Sequence, residues 1–125
     1  MGKDDAGEIL WLPGAEPHDY PAAESYLGLV FPPDRVAGFM AGLRVAPTVR
    51  FKAKDIFRAS RLSLLGVSNS HVQKDTQKIN KGIPLSPLLL VRDTPNGLVI
   101  IADGYHRLCA VYGFDEDAWI PCRIV

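Results

Sequence analysis

The 125-residue chain has only two cysteines, Cys109 and Cys122, and their spacing does not form a CxxC motif. Its three histidines, His18, His71 and His106, are also far apart in the sequence. These spacings indicate neither a metal site nor a disulfide framework. Since Cys109 falls in a predicted helix and Cys122 in the predicted last strand, we expect two reduced, buried thiols.

Long apolar runs are also missing from the chain. No stretch approaches the ~20 residues that a membrane-spanning helix needs, and the acidic beginning, with Asp4 and Asp5, is unlike a secretory signal. With 47% hydrophobic and 22% charged residues, the composition is that of an ordinary globular protein. We therefore expect one cytoplasmic domain with a single core and no membrane partner.

The chain has no net charge, because 14 basic residues balance 14 acidic ones, but the charges are unevenly distributed. Residues 1–34 hold seven acids and one base, whereas residues 35–82 hold ten bases and two acids and so carry a charge of +8. This middle segment favours an anionic ligand, unless the acidic N-terminal part neutralises it in the fold. The overall neutrality argues against a protein that coats duplex DNA, so nucleic acid is not the favoured partner.

Two helices are predicted in residues 1–47, which we describe as an N-terminal helical extension. Residues 22–29 have helical composition, with Asp19 as a candidate cap, and Pro32 and Pro33 end this helix and begin a second one. The second helix has apolar residues at the spacing of one buried face, namely Val36, Phe39, Met40 and Leu43.

Strands and helices alternate from residue 48 onward. The segments assigned to strands by their apolar or alternating sequence are residues 48–53, 88–91, 98–102 and 119–125. Helices are expected from Lys54 to about Leu65, from His71 to about Asn80, and from Gly104 to about Tyr112. The polar residues 68–70 are predicted to cap the second of these helices, and Gly82 to close it. This order predicts an α+β layered fold, with residues 48–125 as the main domain and the whole chain as one compact unit.

Residues 99–110 read as a buried strand that stops at Gly104 and turns into a helix. Gly104 permits a close approach of the backbone to a ligand or a positive φ. The first turn of the helix offers unpaired N–H groups and the positive end of the helix dipole, and it also carries His106 and Arg107. The junction is therefore suited to binding a phosphate group.

The helix that begins near His71 is a second cationic element. His71, Lys74 and Lys78 are spaced i, i+3, i+7, so they project from one side of it. Opposite the junction, they would bracket a di- or triphosphate between two basic surfaces. The structural alternatives remain open, since lysines at this spacing often mark a solvated face, Asp103 could cap the following helix, and Tyr105 could serve packing.

Together these two elements resemble the ParB/sulfiredoxin superfamily over roughly residues 48–125. The resemblance is carried by the 103–107 motif DGYHR, the proline-bounded apolar strand at 88–91, and the Ile120-Pro121 dipeptide of the last strand. It implies a small mixed β-sheet with helices packed on it, and it implies nucleotide binding.

The resemblance also implies which residues contact the ligand. In sulfiredoxin, ATP phosphates meet the His-Arg pair of this motif and polar residues at the i, i+3, i+7 positions of the preceding helix. In ParB proteins, which bind CTP, two arginines replace the His-Arg pair. ATP or CTP, with Mg²⁺, is therefore the implied ligand. The candidate ligand-binding residues are His71, Lys74, Lys78, Gly104, Tyr105, His106 and Arg107.

Tyr105 is where the chain departs from both branches of the family. Sulfiredoxin has its catalytic cysteine at this position and ParB has a glutamate associated with CTP hydrolysis, so neither activity carries over. The chain also has no room for the helix-turn-helix domain of ParB. Asp103 is the candidate replacement carboxylate, able to hold Mg²⁺ together with phosphate oxygens or to activate a hydroxyl.

Three functions remain as hypotheses. The first is binding of a nucleotide or similar phosphate ligand without turnover. The second is Mg²⁺-dependent phosphoryl transfer or nuclease-type chemistry with Asp103 as the base, for which the nuclease form rests on analogy. The third is a non-catalytic interaction module, in which the N-terminal part offers aromatic side chains to a partner, namely Trp11, Tyr20, Tyr26 or Phe31.

Overall fold

The computed structural model describes residues 8–66 and 68–125, so the acidic residues Asp4 and Asp5 lie outside the described residues. The elements in chain order are α1 (Asp19–Val30), α2 (Pro33–Val45), β1 (Val49–Lys52), α3 (Ala53–Ser60), α4 (Ser70–Lys81), β2 (Leu88–Asp93), a 3₁₀ turn (Thr94–Asn96), β3 (Leu98–Asp103), α5 (Tyr105–Phe114) and β4 (Trp119–Ile124). The fold is α+β, as the order of patterns predicts. In the described part of the chain, no helix has the length and apolar character to cross a membrane.

The four strands form one mixed sheet in the order β1-β4-β2-β3. β1 pairs antiparallel with β4, β4 pairs parallel with β2, and β2 pairs antiparallel with β3 across the 3₁₀ turn. The uninterrupted apolar sequence of residues 88–91 predicts a central strand, and all four of these residues are buried. β2 is accordingly an inner strand of the sheet.

Each face of the sheet has its own helices and its own hydrophobic core. Leu88 and Leu90 of β2 belong to the core that α3, α4 and α5 cover. Leu89 and Val91 point to the opposite face and belong to the core that α1 and α2 cover. Of the apolar stripe predicted for α2, Val36, Met40 and Leu43 are buried, and Phe39 is partly buried against the same core.

Helix α4 begins and ends where its capping residues predict. The Asn69 side chain accepts hydrogen bonds from the backbone N–H groups of His71 and Val72, at 3.0 and 3.2 Å. Gly82 closes the helix with a left-handed φ of 69°. Val72 and Ile79 are buried, so the polar side of α4 is left for other contacts.

Helix α3 ends earlier than its sequence predicts. We expect it to continue to about Leu65, but it ends at Ser60, and Arg61 takes a left-handed backbone with φ 58°. The Ser60 hydroxyl donates to the carbonyl of Phe57 and accepts from the N–H of Leu62, which closes the last turn locally. The apolar residues beyond this point therefore belong to a loop.

Both cysteines are buried, as predicted, Cys109 in α5 and Cys122 in β4, and they are not bonded to each other. Burial raises the pKa of Cys122 to about 12. The Cys122 thiol therefore stays protonated at neutral pH and packs as a small apolar group.

Gly104 joins β3 to α5 at a position that has no room for a side chain. Its φ is 111°, and an added Cβ would lie 2.7 Å from Cγ of Leu88 and 3.0 Å from Nη2 of Arg107. The predicted positive φ is therefore present, and the side chain that lies closest to this backbone is that of Leu88.

Replacing Gly104 tests how much the stability of the β3–α5 junction depends on the close approach of Gly104 to Leu88. Gly104→Ala is expected to lower the free energy of unfolding by about 1–3 kcal/mol, because the new side chain is strained at this φ and overlaps Leu88. Gly113→Ala in the same helix is the control, since nothing lies within 4 Å of the Cβ that it adds. Urea denaturation measures both variants. Unchanged stability of Gly104→Ala would contradict this account.

Candidate functional site

A polar cleft of about 270 Å³ opens where β3 ends and α5 begins. One wall is the first turn of α5, and the other is the polar side of α4. The lining residues are His71, Lys74, Asp75, Lys78, Asp103, Gly104, Tyr105, His106 and Arg107. The structure thus brings all eight candidate residues of the sequence analysis into one cleft and adds Asp75.

The first turn of α5 leaves backbone N–H groups without partners inside the helix. Gly104 occupies the cap position, and no side chain caps the helix. The first intrahelical bond runs from the N–H of Leu108 to the carbonyl of Gly104, at 2.9 Å, so the three amides before Leu108 have no helical acceptor. The alternative in which Asp103 caps α5 is therefore wrong. This helix end has the free donors and the dipole that bind anions.

Arg107 is largely engaged within the protein. Its Nη2 donates to Oδ2 of Asp103 at 2.9 Å and to the carbonyl of Pro87 at 3.2 Å. The side chains of Arg107 and Asp103 are only 15% and 16% exposed. The Nε of Arg107 is buried and has no hydrogen-bond partner among the described residues. The sequence analysis assigns the Arg107 guanidinium to a ligand, but its Nη2 group already binds Asp103 and the carbonyl of Pro87.

Asp103 lies beside a second buried carboxyl group, that of Asp19. Burial raises the pKa of Asp103 above its usual value, Arg107 opposes this rise, and the neighbouring carboxyl group of Asp19 adds to it. Asp19 is 1% exposed and also accepts the backbone N–H of Glu16 at 2.8 Å. The N-terminal helices are therefore connected to the cleft through Asp19.

The position of Asp19 differs from the sequence prediction. We predict it as the cap of α1, but it is the first residue of the helix, and His18 occupies the cap position without a side-chain bond. Sequence reasoning did not select Asp19 for the site, because its contact with Asp103 joins distant parts of the chain and leaves no local signal.

Asp75 is the other site residue that sequence reasoning missed. It follows His71 by four residues, so the helical spacing that selects Lys74 and Lys78 selects Asp75 as well. Burial raises the pKa of Asp75, and the surrounding cations, Arg107 first among them, oppose that rise. The cleft therefore contains carboxyl groups among its basic side chains.

Lys74 and Lys78 line the cleft with exposed side chains, and neither forms an ion pair with a carboxylate of the described residues. Across residues 8–66 and 68–125, no ion pair joins an acid before residue 35 to a base of the 35–82 segment. The basic segment is thus not neutralised by direct contact with the described N-terminal acids. Both ammonium groups are available to a ligand.

His71 and His106 face each other between α4 and α5, with ring centroids 4.8 Å apart. Burial lowers the pKa of His106, and His71 lowers it further, whereas Asp75 raises it. A bound anion would favour the charged form of His106. His106 can therefore take up a proton when an anion binds.

Tyr105 has the packing role that the sequence leaves open. Its hydroxyl donates a hydrogen bond to the carbonyl of Ser63, and its ring packs against the core beneath α5. Its ring centroid lies 5.5 Å from that of His106. The side chain thus joins the loop after α3 to the cleft.

The aromatic side chains considered for a protein partner are mostly engaged. Trp11, Tyr20 and Phe31 pack against the two cores, whereas Tyr26 is 45% exposed. One exposed ring gives little support to a partner surface on the N-terminal helices.

No protein-family model, no curated protein and no solved structure matches the chain. The resemblance to the ParB/sulfiredoxin superfamily therefore stays a prediction.

Acidification is expected to destabilise the fold through His106. Because the folded-state pKa of His106 is lowered, the unfolded chain binds the proton first, so the contribution of His106 to stability is fully present above about pH 6.5 and is lost as the pH falls through the folded pKa. Denaturation in urea at several pH values between 7.5 and 5.0 measures this loss. His106→Gln should lose less stability over that range, and an equal loss in the two proteins would contradict the assignment.

Proposed function

We propose that the protein binds a phosphate-bearing ligand, with a nucleotide as the leading candidate, in the cleft between α4 and α5. One observation carries the proposal: two unpaired lysines of α4 and the free N-terminal amides of α5 line the same small cleft. These groups come from two different helices, and neither the packing of the core nor the pairing of the strands requires them to lie together. Phosphate is the ligand group that both bind well.

The charge of the cleft supports a phosphate ligand. Its permanent cations are Lys74, Lys78 and Arg107, and the helix N-terminus adds partial positive charge. The opposing carboxyl groups, Asp75 and Asp103, both have raised pKa values, chiefly because of burial. An anion entering the cleft therefore meets more positive than negative charge.

The size of the cleft indicates which part of a nucleotide it would hold. Its volume of about 270 Å³ is below the ~300–1,000 Å³ of pockets that enclose drug-sized ligands. The phosphates would lie inside, and the nucleoside would extend outside. The rings of Tyr105 and His106 also line the cleft and offer surfaces on which a base could stack.

Mg²⁺ would fit this cleft as part of the ligand. Within the described residues, no group of three or more His, Cys, Asp or Glu side chains could hold a metal ion. Mg²⁺ commonly binds one or two carboxylates together with substrate phosphates. Asp75 or Asp103 could supply that carboxylate, and the bound ion would offset phosphate charge.

The family resemblance narrows the choice of ligand. It implies ATP or CTP at the candidate residues, and the mixed sheet with helices on both faces accords with the fold that it implies. The nucleotide is therefore the first ligand to test.

Isothermal titration calorimetry with ATP, CTP and ADP, each with and without Mg²⁺, tests the proposal. The double variant Lys74→Ala/Lys78→Ala should bind about tenfold more weakly, because it removes two cationic partners of the phosphates. Lys81→Ala is the matched control, since Lys81 lies in the last turn of α4 and does not line the cleft. Affinity should also fall as salt is added. Absence of binding heat with every nucleotide, or an equal loss in the control, would overturn the proposal.

Phosphoryl transfer or phosphodiester hydrolysis is a second candidate function, and Asp103 is the observation that favours it. Its carboxyl group lines the cleft, and its raised pKa is a property that many general bases share. Arg107 fixes its position beside the N-terminus of α5. A hydroxyl or water next to a bound phosphate could then transfer its proton to Asp103.

Under this second proposal, Asp103→Asn should lower turnover about 100-fold while nucleotide binding is retained. Phosphate release from ATP and CTP and cleavage of single-stranded DNA are the measured reactions. Asp34→Asn is the control, because Asp34 is an exposed carboxylate in the first turn of α2 and does not line the cleft. Failure of the unsubstituted protein to turn over any of these substrates would remove this candidate and leave binding alone.

A further inference from the structure

A second cleft, of about 450 Å³, lies on the face of the sheet that α3 covers, near the ends of β2 and β4. None of its lining residues belongs to the phosphate cleft. Its lining is mainly apolar, and the large apolar side chains are Phe51, Ile56, Leu90, Leu98, Val99 and Ile124. An apolar space of this kind suits a different ligand from the phosphate cleft.

The apolar cleft reaches down to the hydrophobic core. Leu90 and Ile56 are 1% and 3% exposed, so buried core side chains form part of its lining, while Val99 and Ile124 are half-buried. Its volume lies within the ~300–1,000 Å³ of small-ligand sites, which are mostly apolar with a few polar groups. A stable protein interface needs a much broader surface, of more than ~1,000 Å². The cleft is therefore of the size for a small molecule.

Arg92 supplies the uncompensated charge of this cleft. The alternation of β2 places Arg92 on the same face as Leu88 and Leu90, so its guanidinium lies where the apolar face meets solvent. Arg92 is exposed and forms no ion pair with a carboxylate of the described residues. The other charged lining residue, Asp55, lies 3.9 Å from Arg58.

We propose that this cleft binds a medium-chain fatty acid, with its chain against the apolar lining and its carboxylate on Arg92. A guanidinium pairs with a carboxylate through two parallel hydrogen bonds, which fixes the orientation of the ligand. Arg92 is the one cation among the lining residues, so a headgroup with a single negative charge matches it better than a doubly charged phosphate. The proposal does not depend on the function of the phosphate cleft.

Calorimetric titration with decanoate, octanoate, decanol and decylamine tests the proposal. Decanoate should bind saturably to one site, about 15-fold more tightly than octanoate, because two more methylene groups leave water. Arg92→Gln should weaken decanoate binding about three- to tenfold and leave decanol binding unchanged. Arg50→Gln is the matched control, since Arg50 is an exposed arginine of β1 that does not line the cleft.

Amide shifts in NMR spectra locate the binding site. Decanoate should shift the amide signals of Leu98 and Val99, which line the apolar cleft. The double variant Lys74→Ala/Lys78→Ala changes the other cleft, so it should bind decanoate as tightly as the unsubstituted protein does. Because Arg92 is exposed, its replacement does not empty the core, and the unperturbed spectrum of Arg92→Gln checks that the variant is folded. Binding without saturation, equal affinity for decylamine, or equal decanoate affinity in Arg92→Gln would overturn the proposal.

Discussion

The close approach of Leu88 to Gly104 is the contact on which the candidate site depends. Because Gly104 has no side chain, the start of β2 lies directly against the start of α5, and the same space admits Nη2 of Arg107. Arg107 then reaches both Asp103 and the carbonyl of Pro87, which ties the end of β3 to the residue before β2. The first turn of α5 is thereby fixed at the end of the sheet, with its amides free.

The N-terminal helices belong to the same arrangement through Asp19. Asp19 is almost fully buried, and its carboxyl group adds to the raised pKa of Asp103, so the two carboxyl groups lie close together. Arg107 donates a hydrogen bond to Asp103 and opposes that rise. A guanidinium beside two carboxyl groups reduces the cost of placing them between the sheet and the helices.

Local sequence predicts this fold best where one residue dictates the backbone. Asn69 and Gly82 set the ends of α4, and the spacing between them orients the basic side chains that line the cleft. The predicted length of α3 is wrong, because the apolar residues between Ser60 and Leu65 have the spacing of a helix but lie in a loop. Asp75 was predictable from the same helical spacing as Lys74 and Lys78. It was missed because the sequence analysis selected basic residues for a phosphate site, and Asp75 is acidic. Asp19 was not predictable, since only the tertiary fold creates its contact.

The state of Tyr105 bears on whether the cleft binds a ligand or also reacts with it. A nucleophilic side chain needs an attacking atom that is free and readily deprotonated. The Tyr105 hydroxyl instead donates to the carbonyl of Ser63, and burial raises its pKa, so it keeps its proton. Turnover under the second proposal would therefore proceed through a water or substrate hydroxyl activated by Asp103, because the Tyr105 hydroxyl is engaged with the loop after α3. Binding requires no such additional reactant, and for that reason it is the function that this set of side chains supports best.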